Sequence, residues 1–106
     1  MVYYSPAAYD DLLELLDGLL SWETENGQIH LEYETALSYF NAVKAAFDSI
    51  DQLNNHRKAV YKLHQQYGEY VYQYRRNPRT SWYACYNKSD GTVFINRIVN
   101  NYLTIV

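Results

Sequence analysis

Hydrophobic and polar positions alternate in the last third of the chain in the way that β-strands require. Aromatic and β-branched residues are dense between Tyr70 and Val99, which is typical of strands. Two turn-forming pairs interrupt this block: Asn77-Pro78 and Asp90-Gly91. Because few residues remain outside the strands and turns, the pattern predicts a meander of three antiparallel strands joined by tight turns.

The first half of the chain instead repeats its apolar residues at three- and four-residue spacing, as amphipathic helices do. The first such stripe consists of Leu12, Leu15, Leu16, Leu19 and Trp22. Ser5 is a favourable N-cap and Pro6 a favourable first helical residue. Asp10 and Asp11 follow near the positive end of the helix dipole, which stabilises acidic side chains. These signals predict a helix that begins at Pro6.

The first helix is expected to end at Asn26-Gly27, since glycine readily adopts the left-handed conformation of a helix cap. A second helix is predicted from about Leu31 to about Asn54. Its apolar face carries Tyr33, Leu37, Phe40, Val43, Phe47 and Ile50. The connection between the two helices is short, so we expect them to form an antiparallel hairpin.

The stretch Val2-Tyr3-Tyr4 predicts a short first strand, which would pair with a later strand rather than stand alone. Residues 55–69 fit the spacing of a strand and also that of a helix, and they stay unassigned. The order of elements therefore predicts an α+β fold, in which a helix hairpin packs on one face of a small antiparallel sheet. With 106 residues and no linker or internal repeat, residues 1–106 are expected to form a single domain.

Charge is distributed unevenly along the sequence. Residues 1–55 contain one basic and ten acidic residues, whereas residues 56–106 contain eight basic and two acidic residues. This split would make the C-terminal half suitable for a polyanionic partner. The same uneven distribution would also arise if the helices simply expose acidic side chains to water and the basic sheet offsets their charge. The total charge of only −3 makes the two explanations equally good.

Several classes of protein and of site are not indicated. No apolar run approaches a membrane span, and the N-terminal residues lack the pattern of a signal peptide. The single Cys85 has no disulfide partner in the chain and is expected as a small core residue. His30, His56 and His64 lack metal-site spacing and are expected in loops or on the surface. We therefore expect a cytoplasmic protein with no metal, no cofactor and no membrane partner.

Both ends of the chain carry a more specific pattern. The N-terminal stretch reads Y-S-P-A-A-Y-D-D-L, and the C-terminal stretches read Y-R-R-N-P-R-T-S-W-Y-A-C-Y-N and V-F-I-N-R-I. With the order of elements, they resemble the RelE/ParE toxin superfamily, the toxin halves of bacterial type II toxin–antitoxin (plasmid stabilisation) modules. The resemblance implies a compact toxin that a cognate antitoxin holds inactive. It also implies one of two targets: translation, through ribosome-dependent mRNA cleavage, or DNA gyrase.

The resemblance also suggests where catalytic residues would lie. The mRNA-cleaving branch typically carries Y-R-x-x-Y in its middle strand, where this chain reads W-Y-A-C-Y. Tyr86 matches the last tyrosine of that motif, and Tyr83 stands at the arginine position. Tyr102 takes the place of the family's downstream tyrosine. If the chain is an enzyme, the resemblance therefore implies a metal-independent, ribosome-dependent endoribonuclease with Tyr83 and Tyr102 as candidate catalytic residues.

Such chemistry also needs cations that stabilise the negative charge developing on the phosphate. The candidates for binding phosphate or target are Lys58, Lys62, Arg75, Arg76, Arg79 and Arg97. Arg75 and Arg76 are neighbours on one predicted strand, so one of them must face away from the helices. We expect Arg75, Arg79 and Arg97 to lie within one phosphate-sized region. His64 is a further candidate for proton transfer.

An alternative function comes from another class: a non-catalytic protein-interaction module that keeps the toxin fold without toxicity. The acidic helices and the tyrosine at position 83 favour this alternative. The sequence also contains 13 tyrosines. Tyrosine and arginine together on an exposed surface are typical of protein-binding sites.

Overall fold

The computed structural model describes residues 1–25, 33–78 and 80–100. Its helices are α1 (Pro6–Glu25), α2 (Tyr33–Asp48) and α3 (Lys62–Gln65). Its strands are β1 (Val2–Tyr4), β2 (Arg57–Lys58), β3 (Tyr70–Asn77), β4 (Thr80–Ser89) and β5 (Thr92–Asn100). The predicted α+β class, the first strand and the three-stranded meander are confirmed. The unassigned residues 55–69 contain both a short strand, β2, and a short helix, α3.

The strands form one sheet in the order β1-β5-β4-β3-β2. The meander is antiparallel, as predicted, but β1 pairs with β5 in parallel, with Val2 opposite Val93 and Tyr4 opposite Ile95. The prediction of a wholly antiparallel sheet is therefore wrong. Only strands joined by a tight hairpin must be antiparallel, whereas β1 is connected to the meander through helices, which allows a parallel neighbour.

The turn between β4 and β5 is the predicted one. Asp90 has φ 51° and Gly91 has φ 80°. Two successive residues with positive φ form the turn that matches the twist of a two-stranded hairpin, and the Asp-Gly pair suits it well. The register between β3 and β4 shifts between Arg75 and Asn77, just before the other predicted turn.

The start of α1 agrees with the capping signals. The Ser5 hydroxyl accepts a hydrogen bond from the Ala8 N–H at 3.0 Å and donates one to the Asn96 carbonyl at 2.7 Å. The cap therefore satisfies a free N–H of the helix and also fastens the helix start to β5. The predicted end of this helix, Asn26-Gly27, lies outside the described residues.

The second helix is shorter than predicted, since it ends at Asp48 rather than near Asn54. A 3₁₀ turn, Ile50–Gln52, follows it and buries Ile50 completely. The Tyr4 hydroxyl donates to an Asp48 carboxylate oxygen at 2.6 Å, which ties the last turn of α2 to β1. These tertiary contacts end the helix although the apolar spacing continues. The predicted start near Leu31 lies outside the described residues.

The main core lies between the two long helices and one face of the sheet. Its largest fully buried side chains are Tyr86, Phe47, Leu12, Ile50 and Ile95. A smaller cluster lies on the other face of the sheet and consists of Ala59, Val71, Cys85 and Val99, with Tyr67 and Tyr83 packed against it. We call this second face, opposite α1 and α2, the open face. Among the described helices, none combines the length and the apolar character needed to cross a membrane.

Candidate functional site

A compact loop stands on the open face. It consists of residues 59–69, which connect β2 to β3, and its ends are joined because the Ala59 N–H donates to the Glu69 carbonyl at 2.9 Å. Within the loop, the Gln65 side chain donates to the Ala59 carbonyl at 3.1 Å. Loops of this length whose ends meet and whose side chains fill the interior are Ω-loops, and they are frequently functional. We refer to residues 59–69 as the Ω-loop.

The Ω-loop is fastened to the sheet at its C-terminal end. The Asn96 side-chain N–H donates to the Tyr67 carbonyl at 2.6 Å, and the Glu69 N–H donates to the Asn87 side-chain oxygen at 2.8 Å. A Cβ atom on Gly68 would lie 2.6 Å from the backbone N and O atoms of Tyr86. Only glycine therefore allows the loop backbone to lie this close to β4.

A polar cleft of about 600 Å³ remains between the Ω-loop and the sheet. Its lining includes four amide side chains and one pair of opposite charges: Gln65, Gln66, Asn87, Asn96, Lys58 and Glu69. The Lys58 ammonium lies 3.7 Å from the Glu69 carboxylate, and both side chains are exposed, so this pair is weak. The cleft is thus lined mainly by neutral hydrogen-bonding groups.

The candidate proton-transfer residue Tyr83 lies under the Ω-loop, beside His64. The two ring centroids are 4.7 Å apart, and the His64 ring also meets the Tyr61 ring at 5.5 Å. His64 is only 1% exposed, and neither of its ring nitrogens has a hydrogen-bond partner. Burial lowers the pKa of His64, which keeps the ring neutral at pH 7. His64 thus lies in a loop, as one of the two expectations had it, but not on the surface, because the Ω-loop folds its ring inward.

Arg97 is held within the protein by a carboxylate. Its Nε lies 2.8 Å from Asp11 Oδ2 and its Nη2 lies 3.1 Å from Asp11 Oδ1, and the Ile98 N–H donates to Asp11 at 2.8 Å. The guanidinium also lies 5.0 Å from the centroid of the Tyr67 ring. The hydrogen bond with Asp11 raises the pKa of Arg97. The Nε and Nη2 groups of Arg97, which together could bind a phosphate, are therefore occupied by the Asp11 carboxylate.

A β-bulge explains how Arg97 reaches this position. The register of β4 and β5 shifts so that Tyr86 is opposite Ile95 while Cys85 is opposite Arg97, which leaves Asn96 as the extra residue. A bulge of this kind redirects the side chains beside it. Asn96 then binds the Tyr67 carbonyl while Arg97 covers the Tyr67 ring.

Arg75 and Arg76 point to opposite sides of β3, as their neighbouring positions predict. The Arg76 guanidinium lies 4.6 Å from the centroid of the Tyr39 ring on α2, whereas Arg75 is exposed on the open face. Arg75 is opposite Ser81 on β4, four residues from the partner of Arg97. Strand geometry separates Arg75 from Arg97 by about 13 Å along β4 and about 10 Å across it. The structure therefore does not bring these two arginines into one phosphate-sized region.

The remaining candidate cations lie on or beside the Ω-loop. Lys58 and Lys62 are both exposed. Between them stand two apolar side chains that are also exposed, Val60 at 75% and Tyr61 at 55%. Arg57, also exposed, precedes them on β2. Residues 57–62 thus form a basic and apolar segment, which we call the basic segment. Arg79 and Tyr102 lie outside the described residues.

Tyr86, which matches the last tyrosine of the family motif, is fully buried on the helix side of the sheet. Its hydroxyl shares a 2.7 Å hydrogen bond with His56 Nδ1, and burial, together with the neighbouring Tyr70, raises the pKa of Tyr86 to about 12. Cys85 is also fully buried, as predicted for a core residue, and burial raises the pKa of its thiol to about 12. Neither group is suited to surface chemistry in this arrangement.

Three residues that organise this site were not predicted as site residues: Tyr67, Asn96 and Asp11, the last of which the sequence marked only as part of the helix start. Asp11 and Arg97 are separated by 86 positions, and no local pattern marks such a pair. Within the described residues, no three His, Cys, Asp or Glu side chains are grouped as a metal site would require. Comparison of the chain with protein-family models, with curated proteins and with solved structures found no match.

Proposed function

We propose that this chain is the toxin component of a bacterial type II toxin–antitoxin module with a RelE/ParE-like fold, acting in the cytoplasm and neutralised by a cognate antitoxin. We further propose that it acts by binding its target rather than by cleaving RNA. The order of elements, with a first strand, two long helices and a meander, supports the family assignment. The exposed basic segment supports a binding role, and it is the observation that carries the proposal.

The basic segment has the composition of a binding surface. It presents three cations, Arg57, Lys58 and Lys62, beside the exposed Val60 and Tyr61. Exposed charge with adjacent aromatic and aliphatic surface is suited to anchoring a partner. Ten of the 12 acidic residues lie in residues 1–55, so the basic segment is separated in the sequence from most of the negative charge.

The geometry around Tyr83 argues against RNA cleavage. A tyrosine with its ordinary pKa of about 10 acts as a base at neutral pH only when cations stabilise the phenolate. In the described part of the chain, the ring contact of Tyr83 is with the neutral His64. Arg97 is paired with Asp11. Of the two nearby arginines, Arg97 is thus engaged, and phosphoryl chemistry at Tyr83 would depend on Arg75, which is exposed two residues from Gln73, the strand partner of Tyr83.

A second candidate function is a protein-interaction module that keeps the fold without toxicity. The bidentate pair of Asp11 and Arg97 favours it, because that pair neutralises a cation that the first candidate could otherwise use. In this case the basic segment would still bind a protein partner. The two candidates therefore differ in the effect on growth rather than in the surface used.

Growth of a bacterial host separates the two candidates. Induction of the chain alone should arrest growth, and co-expression of the adjacent gene should restore it. The double variant Lys58→Ala/Lys62→Ala should lose the arrest, whereas Lys44→Ala, a lysine on α2, should retain it. Normal growth with verified soluble wild-type protein would favour the interaction module.

The absence of RNA cleavage can be tested directly on ribosomes. We expect ribosome-dependent mRNA cleavage to be weak or undetectable, and any activity found should be lost in Tyr83→Phe. DNA gyrase supercoiling should be assayed in parallel with the same protein preparation. Strong cleavage that survives both Tyr83→Phe and Tyr102→Phe would show that the chemistry lies on other residues.

A further inference from the structure

The Ω-loop is a small unit whose side-chain hydrogen bonds to the sheet are at its C-terminal end, through Tyr67 and Glu69. Besides the backbone hydrogen bonds of α3 and the turn after it, one side-chain bond joins Gln65 to Ala59 and one backbone bond closes the neck between Ala59 and Glu69. Its helix, α3, has only four residues, so it has no stability apart from its packing. The apolar contacts with the sheet come from the small cluster that contains Cys85 and Val99. A segment of this kind is expected to open without unfolding of the whole domain.

His64 makes the closed position sensitive to protonation. Its ring is 1% exposed and both nitrogens lack a hydrogen-bond partner. Burying a polar group without a partner is unfavourable, and burying a charged one is far more so. When the loop opens, both nitrogens gain water. A protonated ring would gain much more from that exposure than a neutral one.

The groups around His64 do not offer a counter-ion. Its ring contacts are with Tyr61, which precedes α3, and with Tyr83 on β4. The charged residues of the loop and of strands β2 to β5 are basic except for one: Arg57, Lys58, Lys62, Glu69, Arg75, Arg76, Lys88 and Arg97. The acid in this set, Glu69, is paired with Lys58, and Arg97 is paired with Asp11. A protonated His64 in the closed loop would therefore remain uncompensated.

We propose that the Ω-loop is a pH-sensitive cover over the open face, closed over Tyr83 and Cys85 while His64 is neutral and released when His64 is protonated. The inference concerns the motion of the loop, and it stands whether or not the chain is a toxin. Its consequence would be that Tyr83 and the apolar cluster become accessible to a partner in mildly acidic conditions.

The direction of the pH effect follows from linkage. Burial lowers the pKa of His64 in the closed loop, whereas an exposed histidine has a pKa of about 6.5. The open form therefore binds a proton that the closed form does not. The closed form has its full stability above about pH 6.5, and the opening equilibrium rises by up to about tenfold per pH unit below it. The rise stops at the lower pKa of the closed form.

The lone cysteine provides a built-in probe. Cys85 is the only cysteine in the chain and is fully buried in the cluster beneath the Ω-loop. A pyridyl disulfide, which reacts with thiols in mild acid, should label Cys85 only when the loop opens. The labelling rate is divided by the rate for the denatured chain at the same pH, which removes the pH dependence of the thiol itself. Urea unfolding at each pH shows how much of the Cys85 labelling rate comes from global unfolding rather than from opening of the Ω-loop.

We expect this normalised rate to rise by up to about eightfold between pH 6 and pH 5 in the wild type, faster than global unfolding explains. His64→Phe, which keeps a ring but cannot be protonated, should remove the rise. The matched control is His56→Gln, because His56 also has a pKa lowered by burial and by Lys88 but lies on the helix side of the sheet. That variant should keep the wild-type rise.

Two results would overturn the proposal: a flat rate in the wild type, or a rise that persists in His64→Phe. If His64→Phe does not fold, nuclear magnetic resonance of the wild type gives the decision. The amides of Gln66, Tyr67 and Gly68, which are hydrogen-bonded within the loop, should lose protection from exchange as the His64 ring titrates. If the His64 ring becomes protonated while these amides stay protected from exchange, the proposal of a pH-sensitive cover is also wrong.

Discussion

The two faces of the sheet are built differently. On the helix side, Phe47, Ile50 and Tyr86 are completely buried in a continuous core contributed by two helices and four strands. On the open face, a cluster of four buried residues supports an eleven-residue loop and adjoins a polar cleft. The first face therefore supplies most of the stability. The second leaves charged and apolar groups accessible on an element that can move.

The contrast also shows how one protein combines a stable fold with a responsive surface. On the helix side, Arg76 packs on the Tyr39 ring, and the Tyr86 hydroxyl is hydrogen-bonded to His56. The open face instead retains His64 without partners and Val60 exposed to solvent. Unsatisfied or exposed groups reduce stability, and they commonly mark functional or mobile segments. The difference between the faces can be measured with single substitutions.

The largest expected effect is on the helix side. Phe47→Ala should reduce the free energy of unfolding by about 3–5 kcal/mol, because a fully buried ring is replaced by a cavity. Val71→Ala on the open face removes two methyl groups and should cost about 1–2 kcal/mol. Urea unfolding of both variants tests the contrast. Equal losses in the free energy of unfolding would mean that the two faces of the sheet contribute equally to stability.

A second variant addresses the docking of the Ω-loop. Gly68→Ala should cost about 3 kcal/mol, because the new Cβ would lie 2.6 Å from backbone atoms of Tyr86 that cannot move away. Gly18→Ala on α1 is the matched control, since a Cβ atom there would have no neighbouring atom within 4 Å. It should stabilise the protein by about 0.5–1 kcal/mol. A tolerated Gly68→Ala would show that the loop backbone is not held against β4.

A third variant tests the link between α1 and β5. Asp11→Ala should cost about 2 kcal/mol, because it removes two charge-assisted hydrogen bonds to Arg97 and leaves the Ile98 N–H without its acceptor. The exposed pair of Lys44 and Asp48 is the comparison, and Lys44→Ala should change stability by less than about 0.5 kcal/mol. Thermal or urea unfolding distinguishes these outcomes. If both variants change the free energy of unfolding by a similarly small amount, the contact of Asp11 with β5 is dispensable for stability.

The smallest effect on stability is expected at Arg75. Arg75→Ala should leave the free energy of unfolding within about 0.5 kcal/mol, since the side chain is exposed on the open face. The double variant Arg75→Ala/Arg79→Ala should stay within about 1 kcal/mol while weakening engagement of the target. Unfolding curves test the expected stability, and a binding assay on the same samples tests the expected loss of target binding. A large loss of stability with unchanged binding would identify structural arginines.

Local signals in the sequence were sufficient for much of the fold. The Asp90-Gly91 turn, the Ser5 cap and the three strands of the meander all follow from interactions between residues close in sequence. The alternation of Arg75 and Arg76 across β3 is equally local, because neighbouring side chains in a strand point to opposite faces. These features depend on backbone conformation and spacing, which a short stretch of sequence determines by itself.

Other features were decided only by contacts between distant segments. The helix α2 ends early because Ile50 enters the core and Asp48 binds Tyr4. The ambiguous residues 55–69 formed the short strand β2 and the Ω-loop folded over β4, which buries His64 and leaves Val60 exposed.

The parallel partner of β1 and the pairing of Asp11 with Arg97 have the same origin. Such contacts form when the chain closes over long separations, and they satisfy groups whose local sequence allows several conformations. The sequence by itself therefore determined which segments become the two long helices and the strands of the meander. The tertiary structure decided which faces are covered and which charges stay available, because both depend on residues brought together from opposite ends of the chain.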